Sequence, residues 1–179
     1  MTQEELIRRF SDTPARQGRA IFSMLFILTN KLQTLFDSRI PDVTLKQFML
    51  LSLLHQADEP QTLTQLGDLL GCSRQNVKKL AQGLQGRGFV TVMPNPGDSR
   101  AVLLETTGKA DRFFSEDFRM YQEQLGSLFS VYTPEELAKL YELLSRMFAG
   151  IDCLAVQADS GKQAPASKTG FGCHKTGLG

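Results

Sequence analysis

Residues 62–105 read TLTQLGDLLGCSRQNVKKLAQGLQGRGFVTVMPNPGDSRAVLLE. This stretch decides the fold because its hydrophobic period changes along its length from helical to strand-like. Thr62 followed by Gln65 is a capping box, in which the threonine oxygen takes the Gln65 N–H and the glutamine side chain reaches back to the threonine N–H. Leu66, Leu69 and Leu70 then turn inward on a short helix. Gly71 suits the left-handed residue that ends a helix, and Ser73 caps another, so only about three residues separate the two. On the second helix Val77, Leu80, Ala81 and Leu84 share one face, leaving Arg74, Gln75, Lys78, Lys79 and Gln82 on the other. Gly86 and Gly88 stop it. Phe89 to Met93 and Ala101 to Leu104 are strand-like runs, and the Pro94 to Ser99 connection, long and rich in proline, predicts a projecting loop rather than a two-residue turn.

Outward from this stretch the pattern is helical. Ile21, Leu25, Leu28, Leu32 and Leu35 alternate steps of four and three, with Phe22, Phe26 and Phe36 alongside, and predict a long helix with a wide apolar face. Pro41 closes it. Asp42 or Thr44 caps a helix carrying Phe48, Leu51 and Leu54, with Leu50 beside them, up to His55. Beyond the hairpin, Thr106 or Thr107 caps a helix containing Phe113, Phe114, Phe118, Tyr121, Leu125 and Leu128. Thr133-Pro134-Glu135-Glu136 is a strong helix start, with proline at the first position and acids at the positive end of the dipole. Its seam runs Leu137, Leu140, Leu144, Met147, Ile151. After about Val156 the chain offers little to bury, which predicts a disordered tail over 156–179.

A chain of 179 residues with 41% hydrophobic content can bury its own core without disulfides or metal. Its net charge is only +1, yet residues 73–109 hold six basic side chains against two acidic ones, a surplus of four that leaves the remainder at minus three. A basic segment on a mildly acidic body suits a molecule that turns one face to phosphates. Cys72, Cys153 and Cys173 are odd in number and widely spaced, which argues for reduced thiols rather than a disulfide framework or zinc site. Cys72 reads as an interior, inert thiol, and Cys173-His174 supplies too few ligands for a metal. With no secretory signal pattern and no apolar run long enough to span a bilayer, the expected setting is the cytoplasm.

Thr44-Leu45-Lys46-Gln47-Phe48, then Thr62 to Leu70 and Ser73 to Leu84, Gly88-Phe89-Val90 and Asp98-Ser99-Arg100, stand in an order and spacing that resemble the MarR family of winged-helix transcriptional regulators over residues 15–154. The resemblance implies a mainly α fold with a small β-hairpin wing (α+β): a winged helix-turn-helix lobe at 43–106, with N- and C-terminal dimerisation helices at 15–40 and 107–155, in one domain over 1–155. It implies a homodimer on double-stranded DNA, with the second helix of the motif in the major groove and the wing along the backbone or minor groove. It further implies that Asp98 braces the wing while Arg100 contacts DNA. Small aromatic or phenolic effectors bind many family members between the dimerisation helices and the lobe, where Phe22, Phe26, Phe48 and Leu51 are plausible neighbours. Glu105 departs from the family's usual threonine. Gly83, inside the second helix, is a further departure, expected at about 1 kcal/mol relative to alanine to loosen that helix's last turns. The peroxide-sensing cysteine that some members carry near the N-terminus is absent from this sequence.

Elementary chemistry assigns the same contacts. Ser73 lies at a helix N-terminus, whose free N–H groups and dipole attract a phosphate. Arg74 offers a fork for guanine, and Gln75 or Asn76 an amide pair for adenine, from the turn that reaches base edges. Lys78 and Lys79 lie nearer phosphates, and Arg100 at the hairpin tip suits a narrow minor groove. These residues predict a sequence-specific DNA-binding regulator without cofactor, and the resemblance implies a ligand-responsive repressor on a pseudo-palindromic operator. The rival reading is a winged-helix protein-interaction module that binds no DNA. Enzymatic function is not expected, because the chain shows no phosphate-cradling glycine loop, histidine-rich cluster or nucleophile–base pair.

Overall fold

Thr44, Thr62 and Ser73 each hold extended backbone and accept the main-chain N–H of the residue three positions on, and each starts a helix. The computed structural model describes residues 12–39 and 42–163 together with residues 2, 5 and 9, the backbone alone being described at 117–121, 124 and 159–163. Pro41 lies outside the described residues. The chain divides into two compact units, residues 1–123 and 124–179.

In the first unit, α1 spans Pro14–Asp37, with Thr13 as cap and Pro14 opening the helix. Helix α2 (Leu45–Gln56) and α3 (Leu63–Leu70) both begin with complete capping boxes, Thr44 with Gln47 and Thr62 with Gln65. Gly71 adopts φ 63°, the left-handed conformation that turns the chain toward α4 (Arg74–Gly86). At the far end Gly88 has φ 78°, while Phe89 and Gly88 donate to the Leu84 and Gln85 carbonyls at 3.0 and 2.9 Å, a Schellman closure that points Phe89 back into the core. Helix α4 runs unbroken through Gly83 to Gly86.

The sheet has three antiparallel strands in the order β1 (Gln61–Thr62), β3 (Asp98–Thr106), β2 (Val90–Asn95). The projecting loop expected over Pro94 to Ser99 is instead a tight hairpin around Pro96 and Gly97. Two facts explain the difference: β2 is an edge strand, where Pro94 forfeits no ladder bond on its open side, and Asn95 Oδ1 accepts the Gly97 N–H at 2.9 Å to close the turn. Strand β1, two residues beside Leu103 and Leu104, carries no sequence signal of its own.

The core gathers Leu50, Leu51 and Leu54 of α2, Leu66 of α3, and Val77, Ala81 and Leu84 of α4 around Phe89 and Leu104. Leu69, read as inward, is 66% exposed. Thr107 caps α5 (Gly108–Arg112) and also donates its hydroxyl to the Gly88 carbonyl at 2.7 Å, locking the helix to the end of α4. The helix expected from Thr107 onward is interrupted by a π-helical turn, Phe113–Asp117, before α6 (Phe118–Phe129). This wider turn lets the adjacent Phe113 and Phe114 both meet Phe48, at ring-centroid distances of 6.4 and 6.1 Å.

In the second unit Thr133 and Glu136 form a reciprocal capping box at 2.9 and 3.2 Å at the start of α7, Pro134–Gln163. The helix continues past Val156, where the sequence predicts a disordered tail, through Ala155, Gln157 and Ala158, which are good helix formers although they bury little. Residues 164–179, including Cys173 and His174, lie outside the described residues.

Candidate nucleic-acid interface

The start of α4 and the wing approach one another at two arginines. Ser73 Oγ accepts the Asn76 N–H at 3.3 Å, leaving the N–H groups of Arg74 and Gln75 at the helix tip without an intrahelical partner. Arg74 Nη2 donates to the Arg100 carbonyl at 3.5 Å, so the first residue of α4 reaches the wing. In the wing, Asp98 Oδ1 accepts the Arg100 N–H at 2.9 Å and thereby fixes the backbone that carries the Arg100 guanidinium. Ser73, Arg74, Gln75, Asn76, Lys78, Lys79, Asp98 and Arg100 are all exposed.

Between these elements lies a recess of about 150 Å³, lined by Thr62, Thr64, Arg74, Asp98 and Arg100 among others. Thr62 and Thr64 are its unanticipated members. Their signal was present as hydroxyls in the first turn of α3, but Thr62 read only as a cap. The structure separates the two lysines: Lys78 is simply exposed, whereas Lys79 and Asn76 border a second cavity of about 530 Å³, with Thr29 and Gln33 of α1 and Met49 of α2 on its other walls. Leu69, Leu70 and the half-buried Cys72 also line it, which accounts for Leu69 facing away from the core.

The four residues considered for an effector crevice do not converge. Phe48 and Leu51 are buried in the core, whereas Phe22 and Phe26 project from α1, 77% and 68% exposed. His55 stacks on Phe114 at 4.3 Å with Asp111 at 3.5 Å. Lys109 is occupied structurally, 4.4 Å above the Phe89 ring and donating to the Arg87 carbonyl at 2.9 Å. Among the described residues no three His, Cys, Asp or Glu side chains group as metal ligands, and no helix is long and apolar enough to cross a membrane.

Residues 43–102, from the cap of α2 to the middle of β3, match the model of the MarR family. The winged-helix lobe belongs to the MarR family. Solved structures share the fold over most of the chain. A MarR/EmrR family transcriptional regulator from Acinetobacter sp. ADP1 superposes with a TM-score of 0.65 at 18% identity, covering 75% of this chain and 96% of that one. A MarR variant from E. coli, solved with operator DNA, gives 0.65 at 22% identity over 76% and 99% of the two chains. The MepR–DNA complex of S. aureus gives 0.64 at 19% over 73% and 97%. MarR-family proteins are transcription regulators and not enzymes.

Proposed function

We propose that this chain is a sequence-specific, DNA-binding transcriptional regulator that acts as a homodimer on a pseudo-palindromic operator, and that it represses until a small aromatic or phenolic effector releases it. The observation that carries the reading is the junction of α4 with the wing. A Ser73-capped helix tip offers free N–H groups to a phosphate, Arg74 stands at the first helical position, and Asp98 holds Arg100 beside it. Arg74, Gln75 and Asn76 would read base edges, Lys78 and Lys79 would meet phosphates, and Arg100 would enter the minor groove. The MarR variant and MepR named above were each solved with DNA, and BpsR of Bordetella bronchiseptica, another match in fold, has its DNA binding regulated by 6-hydroxynicotinic acid.

Two α4 helices entering successive major grooves must lie about 34 Å apart, so an effector that changes their spacing loses contacts on one half-site. The cavity bordered by Asn76 and Lys79 is where such a molecule would press on α4 from the side of α1.

The test begins with duplexes selected by the wild-type chain from a random pool, titrated against scrambled duplexes at several salt concentrations. Replacing both Arg74 and Arg100 by alanine should weaken the selected duplex at least about a hundredfold while leaving the circular dichroism spectrum unchanged. Equal affinity of the wild type for selected and scrambled DNA would remove the sequence-specific reading.

A further inference from the structure

Helix α2 is tied by polar groups at its first turn to both α1 and α4. On one side Asp37, the last residue of α1, accepts the Leu45 N–H, the first of α2, at 2.6 Å. On the other, the Gln47 carboxamide is buried, with 9% of the residue exposed. Its Oε1 accepts two donors, the Thr44 N–H at 3.1 Å and Arg87 Nη1 at 2.8 Å, and Arg87 is the residue that caps the end of α4. The Nε2 end of the same carboxamide lies on α4 at Gly83, so close that a Cβ at that position would overlap it. Gly83 is therefore the gap into which Gln47 fits.

We propose that Gln47 is a positioning residue for DNA recognition: wedged between Gly83 and Arg87, it sets the tilt of α4 on α2, and through the Asp37–Leu45 bond it links that tilt to α1. This rests on α4 being the helix that reads DNA. The apolar contacts of Val77, Ala81 and Leu84 hold α4 to the core, but side-chain packing confines a crossing angle only to within about 15–20°. Close approach at Gly83, together with the one hydrogen bond that crosses from Arg87 to Gln47, does set it, while the Thr44 N–H holds the carboxamide in place on α2. From Gly83 to Arg74 is a lever of about 14 Å at the helical rise, so a tilt of about five degrees moves Arg74 by about 1 Å. That displacement is enough to spoil bidentate hydrogen bonds to a base.

The experiment uses the full chain and the selected and scrambled duplexes described above. Gln47→Ala should weaken the selected duplex about tenfold, leave scrambled DNA unchanged, and leave the salt slope unchanged because no phosphate contact is lost. Gln47→Glu should restore binding, since a carboxylate keeps both acceptor bonds. Gly83→Ala, which in an ordinary helix interior stabilises, should instead lower the affinity like Gln47→Ala, and should cost nothing further when added to Gln47→Ala. Wild-type affinity in a Gln47→Ala protein whose melting temperature has fallen would overturn the proposal, because the wedge would then be scaffold only. Losses for Gln47→Ala and Gly83→Ala that multiply would overturn it equally, since the two would not act as one contact. A wild type that does not discriminate between the duplexes overturns the DNA-reading conclusion itself, and is recognised before any variant is made.

Discussion

Every buried apolar side chain among the described residues lies between Val43 and Phe113, whereas α1 and α7, the two longest helices, contribute none. The lobe and the terminal helices have comparable stocks of leucine and phenylalanine but use them differently. In the lobe, four short helices and a small sheet close on one another, and Leu50, Leu51, Leu66, Leu84 and Leu104 are all but inaccessible. On α7, Tyr141 and Phe148 stand on one face, 75% and 71% exposed, and α1 leaves Phe22 and Phe26 similarly bare. A single chain thus satisfies the lobe and leaves the long helices with apolar surface that water disfavours. A second copy covering those faces is the partner the proposed function requires.

The contrast predicts its largest effect in the lobe. Leu50→Ala should lower the unfolding free energy by about 2–5 kcal/mol, because the residue is fully buried between α2 and its neighbours and its removal leaves a cavity. Urea unfolding followed by circular dichroism measures this. A loss below about 1 kcal/mol would mean that the lobe is less tightly packed than its burial implies.

A charge on α7 should act differently. Phe148→Asp is expected to weaken homodimer association about a hundredfold, or about 2.7 kcal/mol, while the lobe keeps its secondary structure. Sedimentation velocity across a concentration series reads the change. An association constant that does not move would show that the bare face of α7 is not the seam between copies.

The same contrast explains which features could be read from the residues alone. Caps are local, and Thr44, Thr62, Ser73, Thr107 and Thr133 act where their spacing to the following residues placed them. The order of Ser73, Arg74, Asp98 and Arg100 was equally legible, since each lies beside a turn the sequence announces. Contacts between distant residues were not. Gln47 meets Arg87 across forty positions, and no local pattern shows that Gly83 is empty for the sake of Gln47. The tight hairpin escapes the local pattern for a related reason: Pro94 argues against a strand until β2 is known to be an edge. The Phe113–Asp117 π turn follows from packing two successive phenylalanines against Phe48, which helical periodicity does not anticipate.

The smallest expected effect lies on the opposite face of α7, where Lys139 Nζ meets Glu142 at 2.8 Å and Arg146 lies 3.7 Å from the same carboxylate. The Lys139 hydrogen bond and charge, aided by Arg146, hold the Glu142 carboxyl below its ordinary value. A lowered carboxyl pKa contributes stability above the unfolded value and loses it as pH falls through the folded one, so any contribution should fade only on acidification. The group is fully exposed, and water and salt screen it, so Glu142→Gln should leave both the melting temperature at neutral pH and the dimer constant unchanged. On a helix these three residues face away from Leu137, Tyr141, Leu144 and Phe148. A marked fall in melting temperature that disappears below the carboxylate range would place the charged face, not the apolar one, under cover. It would reverse the assignment of which side of α7 meets a partner.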